Sequence, residues 1–275
     1  MKRIFLHIGA HKTATTTIQR VLMNAPCVKS RHGESILTLS IHNPMHDYKA
    51  FRLPFTHLRN RMMAVKVSGR PINPNLISEM AHLVSEFVGT LPEQHIVWSD
   101  ENLLGNTPGH PTGPIRDFPA GFYPASAPIA EAFHMALADH QTSVRLYTRA
   151  SEGLIRSAYN DWISKLRTPT DYAEFSDAVA QGDLSWESVA APWQAKFGTA
   201  FDMCRFETVR DGQGAFLQAF ADWAELSVED PAALDAAPPA NQSFTARQVK
   251  MARMIMPHVA PEERPALRRF LAQLR

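Results

Sequence analysis

The sequence predicts an α/β fold, a central parallel sheet with helices on both of its faces. Two observations point there. Short apolar runs alternate with segments of helical spacing along most of the 275 residues, and the first run stops at a glycine and passes through a polar turn into a helix. Apolar residues make up 45 % of the chain, enough for one sizeable core. A single domain over 1–275 is expected.

The elements follow in order. "RIFLHIG" reads as a buried strand and residues 15–24 as a helix. "MMAVKVS" (62–68) is a second strand candidate. In "NLISEMAHLVSEFVG" the residues Leu76, Ile77, Met80, Leu83, Val84, Phe87 and Val88 fall at helical spacing, with Gly89 placed as a C-cap. "HIVWSD" (95–100) is a strand. Pro128 opens a helix with Ile129, Phe133, Ala136 and Leu137 on one face. "VRLYTR" (144–149) is a strand, and Ser151 caps the helix bearing Leu154, Ile155, Ala158, Tyr159 and Trp162. "FDMCRF" (201–206) reads as the last strand, and the remainder as helical. Two segments break the alternation. Residues 105–128 hold six prolines and four glycines and read as a lid or binding loop, or as a surface excursion. Residues 229–243 read as a connection to C-terminal helices.

Charge and composition exclude several classes. Twenty-eight basic residues face 27 acidic ones, for a net charge of +1. A nucleic-acid partner is not expected, because backbone binding needs clustered positive charge. Cys27 and Cys204 are too few and too isolated for a disulfide framework or a zinc site, and no metal is expected. No apolar run reaches the length of a membrane span, and the first ten residues lack a proper signal-peptide core. A soluble cytoplasmic chain is the expectation.

The chemistry concentrates in "HIGAHKTATTTIQ". A strand that ends in a turn and starts a helix leaves backbone amides unpaired at the positive end of the helix dipole, which is an anion site. Lys12 adds a full charge, and Thr13, Thr15, Thr16 and Thr17 add hydroxyl donors. The spacing G-x-x-K-T-A-T-T differs from G-x-x-x-x-G-K-[ST], so this is not a regular Walker A loop.

That stretch resembles the 5′-phosphosulfate loop of sulfotransferases that use 3′-phosphoadenosine 5′-phosphosulfate (PAPS), which usually reads K-[ST]-G-T-T. Lys12, Thr13, Thr15 and Thr16 match; Ala14 stands where the family has glycine. "YTRASEGLIRSAYNDW" is similar to the family's 3′-phosphate motif, an arginine at a strand end and a serine eight residues on, here Arg149 and Ser157. Weaker echoes are "VWSDENL", the strand and helix around 197–226, and "NQSFT".

The resemblance implies a three-layer, P-loop-like fold with PAPS as sulfuryl donor. It implies Gly9, His11, Lys12, Thr13, Ala14, Thr15, Thr16, Arg149 and Ser157 as the nucleotide-binding residues, and Lys12 at the leaving oxygen. The acceptor is a small molecule, a lipid or a carbohydrate with a hydroxyl or amine. A general base is needed, and His46, His42, Glu101 and Asp100 are the candidates, with His46 preferred for its position and its near-neutral titration. His7 reads as a packed strand residue. Residue 14 is expected to be helical, because alanine is the best helix former and the loop runs directly into the helix. Two other readings stay open: a P-loop kinase with Asp100 holding Mg²⁺, and a non-catalytic module that binds adenosine 3′,5′-bisphosphate.

Overall fold

A computed structural model describes residues 1–22, 28–41, 46–106, 122–165, 171–230, 234 and 244–274. Its strands are β1 (Arg3–His7), β2 (Val28–Ser30), β3 (Ile36–Leu39), β4 (His95–Ser99), β5 (Gln141–Thr148), β6 (Phe201–Arg205) and β7 (Leu226–Val228). Its helices are α1 (Thr15–Thr17), α2 (His46–Val67), α3 (Pro74–Thr90), α4 (Ser126–Ala136), α5 (Ser151–Ser164), α6 (Tyr172–Ala180), α7 (Trp186–Phe197), α8 (Gln213–Trp223), α9 (Ala246–Ile255) and α10 (Arg264–Gln273). The chain divides into two compact units. One is Met1–Asn106, Phe122–Arg149 and Ser185–Ala240; the other is Thr107–Gly121, Ala150–Leu184 and Asn241–Arg275.

In the first unit five parallel strands form a sheet in the order β3-β4-β1-β5-β6. Ile4, Leu6, Ile96, Trp98, Val144 and Leu146 are fully buried in its three central strands, as expected for strands covered on both faces. On one face Phe5, Val97 and Tyr147 pack with Ile18 and with Phe216, Leu217 and Phe220 of α8. On the other, the Trp98 ring meets Phe51 of α2, Phe87 of α3 and Phe133 of α4 at 5.3–5.6 Å, and Phe133 meets Trp193 of α7. The α/β architecture with a helical layer on each side of a parallel sheet is therefore realised. The second unit is helical among the described residues. Ile155, Tyr159 and Trp162 of α5 pack with Phe175 and Val179 of α6, Ala252 of α9 and Leu271 of α10.

Several local expectations are corrected. Residues 62–68 are not a strand. Residues 62–67 are the last turns of α2, with Ser68 just beyond it, and the Tyr48, Phe51, Phe55, Leu58 and Met62 side chains of that helix are buried at alternating three- and four-residue spacing. Gly89 lies inside α3, and the helix is capped at Leu91. Ser151 is the first residue of α5 rather than its cap; its hydroxyl donates to the Leu184 carbonyl. β6 is not the last strand, since β7 pairs antiparallel with β2 in a separate ribbon. No helix among the described residues is long and apolar enough to cross a membrane.

Candidate functional site

β1 sits at the centre of the sheet, and the carboxyl ends of β4 and β5 flank its own, with His7 in register with Ser99 and Arg145. Ligands in such sheets bind beyond these ends, where the strand order reverses. The residues that follow the three strands are the loop 8–14, Asp100–Glu101 and Arg149.

The loop is held in an unusual shape. Lys12 has φ +68° and Ala14 φ +60°, both left-handed. Residue 14 is therefore not helical, contrary to the propensity argument. Thr13 Oγ1 donates to the Ala10 carbonyl at 2.6 Å, and Arg149 Nη1 donates to the Lys12 carbonyl at 2.8 Å. These bonds fix the turn before the helix can claim Ala14. A left-handed residue followed by a helical one turns successive N–H groups toward one point, an anion-binding nest. The Thr15 and Thr16 amides find no acceptor among the described residues, while those of Thr17 and Ile18 bond to the Ala14 carbonyl.

Two buried side-chain atoms close the floor of the loop. His7 Nε2 and Thr15 Oγ1 have no partner among the described residues. A side chain at Gly9 would put its Cβ 2.5 Å from the first and 2.9 Å from the second. Only glycine fits there. The orphaned Thr15 hydroxyl, the unpaired amides and the Lys12 charge are the groups an anion such as a phosphate requires, so the residues present fit the 5′ end of a nucleotide phosphosulfate.

His7 is a packed strand residue, as expected. Its Nδ1 lies 2.8 Å from Ser99 Oγ, and its ring meets Tyr147 and Phe220 edge-on. Burial and the Arg145 charge lower its pKa to about 3, so it is neutral at working pH. Gln19 Nε2 donates to the Ser99 carbonyl at 2.7 Å and to Glu101 Oε2 at 3.3 Å. Burial and the neighbouring Asp100 raise the Glu101 carboxyl to about 7.

The candidate bases thus separate. Asp100 is saturated. Its Oδ1 accepts from Asn102 N and Nδ2 at 2.9 and 2.7 Å, and its Oδ2 accepts from Tyr48 Oη at 2.7 Å and pairs with Arg52 Nε at 3.1 Å. Glu101 stands beside the loop's supporting network. His46 opens α2, but its side chain lies outside the described residues, as does all of His42. Arg149 reaches the Lys12 loop, with its guanidinium 5.0 Å from the Phe206 ring centre. Ser157 is a half-buried residue of α5 in the second unit.

Three residues of the site escape sequence reasoning. Tyr123 Oη accepts from the His11 amide at 2.8 Å. Trp186 Nε1 donates to the Arg149 carbonyl at 2.6 Å. Gln19 links β4 to the helix after the loop. Tyr123 lies in the Pro/Gly-rich stretch already singled out as a possible binding loop; nothing in the local sequence marks Trp186 or Gln19. Among the described residues no group of three or more His, Cys, Asp or Glu is placed to hold a metal ion.

The left-handed Ala14 carries a prediction. Glycine adopts this conformation freely, so Ala14→Gly should favour the anion-binding shape of the loop and tighten adenosine 3′,5′-bisphosphate several-fold. Stability should stay within about 1 kcal/mol of wild type, because relief of strain offsets the entropy glycine adds to the unfolded chain. Calorimetry of both proteins measures this; a loss of stability without any gain in affinity would fit a helical residue 14 instead.

No family model matches this chain, and no curated protein matches it significantly. Among solved structures it is similar to a sulfotransferase from Alicyclobacillus acidocaldarius, with a TM-score of 0.48, 14 % identity, and coverage of 96 % of this chain and 94 % of that one.

Proposed function

We propose that the protein is a sulfotransferase that moves a sulfuryl group from PAPS to a hydroxyl or amine of a small-molecule, lipid or carbohydrate acceptor. The carrying observation is the left-handed loop with Lys12, the unpaired Thr15 and Thr16 amides and the orphaned Thr15 hydroxyl, joined by Arg149. The donor supplies a sulfuryl group attached to a phosphate that can leave. Lys12 places positive charge where the leaving oxygen becomes negative. Thr15 and Thr16, with their amides, hold the 5′-phosphate. Arg149 recognises the 3′-phosphate through its guanidinium's fork of donors. Glu101, with a pKa near neutrality, takes the proton of the acceptor. Asp100 is fully engaged by Asn102, Tyr48 and Arg52, which leaves the kinase reading without its Mg²⁺ ligand.

Nucleotide titration tests this. Wild-type protein should bind adenosine 3′,5′-bisphosphate in preference to ADP or ATP with Mg²⁺. Arg149→Ala should weaken the bisphosphate about 10- to 100-fold, the value of a lost charged hydrogen bond. It should weaken adenosine 5′-phosphosulfate, which lacks the 3′-phosphate, much less. Equal losses would assign Arg149 to bracing the loop alone, and a preference for ATP with Mg²⁺ would return the kinase reading. Binding without turnover on any acceptor would favour a non-catalytic module.

A further inference from the structure

His95 opens β4 at the end of the sheet opposite the site and is wholly buried. Both of its ring nitrogens are engaged. Nε2 lies 2.9 Å from the Ala224 carbonyl at the end of α8, and Nδ1 lies 3.2 Å from Ser30 Oγ in β2. A carbonyl only accepts, so the proton sits on Nε2, and Nδ1 accepts from the Ser30 hydroxyl. Ser30 Oγ in turn accepts from the His32 amide at 3.2 Å. The ring packs against Phe5 of β1, with centroids 5.0 Å apart. One side chain thus ties the sheet to the end of α8 and to the β2–β7 ribbon. The turn it holds is left-handed at Glu225, φ +52°, whose carbonyl accepts from the Arg31 amide at 3.0 Å.

The charged groups on the elements around the ring are Arg3 of β1, His32 after β2, Glu34 before β3 and Glu225 after α8. Arg3 pairs with Glu34 and, at 2.8 Å, with Glu225, which also meets His32 Nε2 at 3.1 Å. Glu34 Oε2 is 3.9 Å from His95 Nδ1. Arg31 pairs with Asp222 and Lys29 with Glu229, all four exposed. A second proton on the ring would sit on Nδ1 and find no ready acceptor. Ser30 would have to turn its own proton away, and Glu34 is held by Arg3. Burial accordingly keeps the ring's pKa below its ordinary 6.5; Arg3 adds to this, and the Ala224 carbonyl, Glu225 and Glu34 oppose it. The folded ring therefore binds fewer protons than the unfolded one. The tie is at full strength above 6.5 and weakens as pH falls below it.

We propose that His95 is an acid-sensitive latch: as a neutral ring it docks the β2–β7 ribbon and the end of α8 on the sheet, and protonation of Nδ1 frees the ribbon. The release reaches the Lys12 loop, because Ala224, Leu226 of β7 and Val28 of β2 share one core with Ala14 and Ile18. The latch does not depend on the sulfotransferase reading, and no ligand is needed to test it.

Hydrogen exchange read by mass spectrometry on the full chain is the test. After correction for the intrinsic pH dependence of exchange, peptides spanning 28–30 and 224–228 should lose protection several-fold between pH 7 and pH 5. Peptides of β1 and β5 should hold theirs, and the amides of 14–18 should follow the ribbon in part. In His95→Gln, whose amide can still donate toward the Ala224 carbonyl but takes up no proton, the difference between the two pH values should vanish. Ser30→Ala removes the hydrogen bond that favours the neutral ring, so its release should begin at higher pH. A ribbon that stays pH-sensitive in His95→Gln, an unmoved midpoint in Ser30→Ala, or an equal loss in β1 and β5 overturns the latch. Unchanged amides at 14–18 overturn its reach to the loop. If His95→Gln does not fold, Ser30→Ala and the contrast between ribbon and central strands in the wild type decide.

Discussion

Lys12→Ala is expected to lower sulfuryl transfer on the order of a hundredfold or more at saturating donor, with little change in melting temperature. The backbone argument makes this substitution clean. Lys12 has φ +68°, and alanine meets the same left-handed cost, so the loop's strain is unchanged. The Lys12 carbonyl still accepts from Arg149. What disappears is one positive charge beside the unpaired amides. Because that charge matters most as the leaving oxygen becomes negative, the loss should fall on kcat more than on the affinity for adenosine 3′,5′-bisphosphate. Unchanged turnover at saturating PAPS would remove Lys12 from the mechanism.

Glu101→Gln should be comparably severe, and its signature is the pH profile. A base must be ionised to accept a proton, so transfer by the wild type should rise with pH and level off above about 7, the value to which burial and Asp100 push this carboxyl. The glutamine variant should lose on the order of a hundredfold and the rising limb together. A retained limb would assign the base to another group. Stability should move the other way. The folded carboxyl has a raised pKa, so its neutral form is favoured by folding. That contribution is complete below the unfolded value of 4.5 and is lost as pH rises through about 7. Glu101→Gln should therefore raise the melting temperature at pH 8 and leave it nearly unchanged at pH 4. A gain in stability paired with a loss of activity marks a group kept for chemistry rather than for packing.

How much of this was legible in the sequence depends on how local each cause is. The β1 strand, the polar loop and the following helix could be read directly, since "RIFLHIG" is an uninterrupted buried run and the residues after it change character abruptly. Arg149 could be placed at a strand end for the same reason. The end of α2 reads as a strand because Val65 and Val67 carry strand propensity and Pro54 looks like a breaker, while the buried stripe from Tyr48 to Met62 outweighs both. β2 and β3 are only three and four residues long and are separated by the polar residues 31–35, so neither gives a clear alternation. Ala14 departs from its propensity for a different reason. Its helix propensity is worth less than the bonds that Thr13 and Arg149 impose on the loop, and the second of these comes from a residue far along the chain. The raised pKa of Glu101 is not legible either, because the burial that tunes a carboxyl exists only in the fold. Tyr123 and Trp186 reach the site by long-range contact, which no window of sequence contains.

The strand order also has a consequence for the chain as it leaves the ribosome. β1 is the central strand of the sheet and is made before both of its partners: one hydrogen-bonding edge waits for β4, finished at Ser99, and the other for β5, finished at Thr148. At about 5–20 residues per second, Ile4, Phe5, Leu6 and Ile8 spend several seconds or more as an apolar segment with both edges open. β2 waits still longer, for β7 at the far end of the first unit. The loop that would bind the nucleotide is thus made well before Arg149 but acquires its shape only after that residue has emerged. Nascent chains halted before that residue should be sticky substrates for chaperones, and those halted after β6 should be markedly less so.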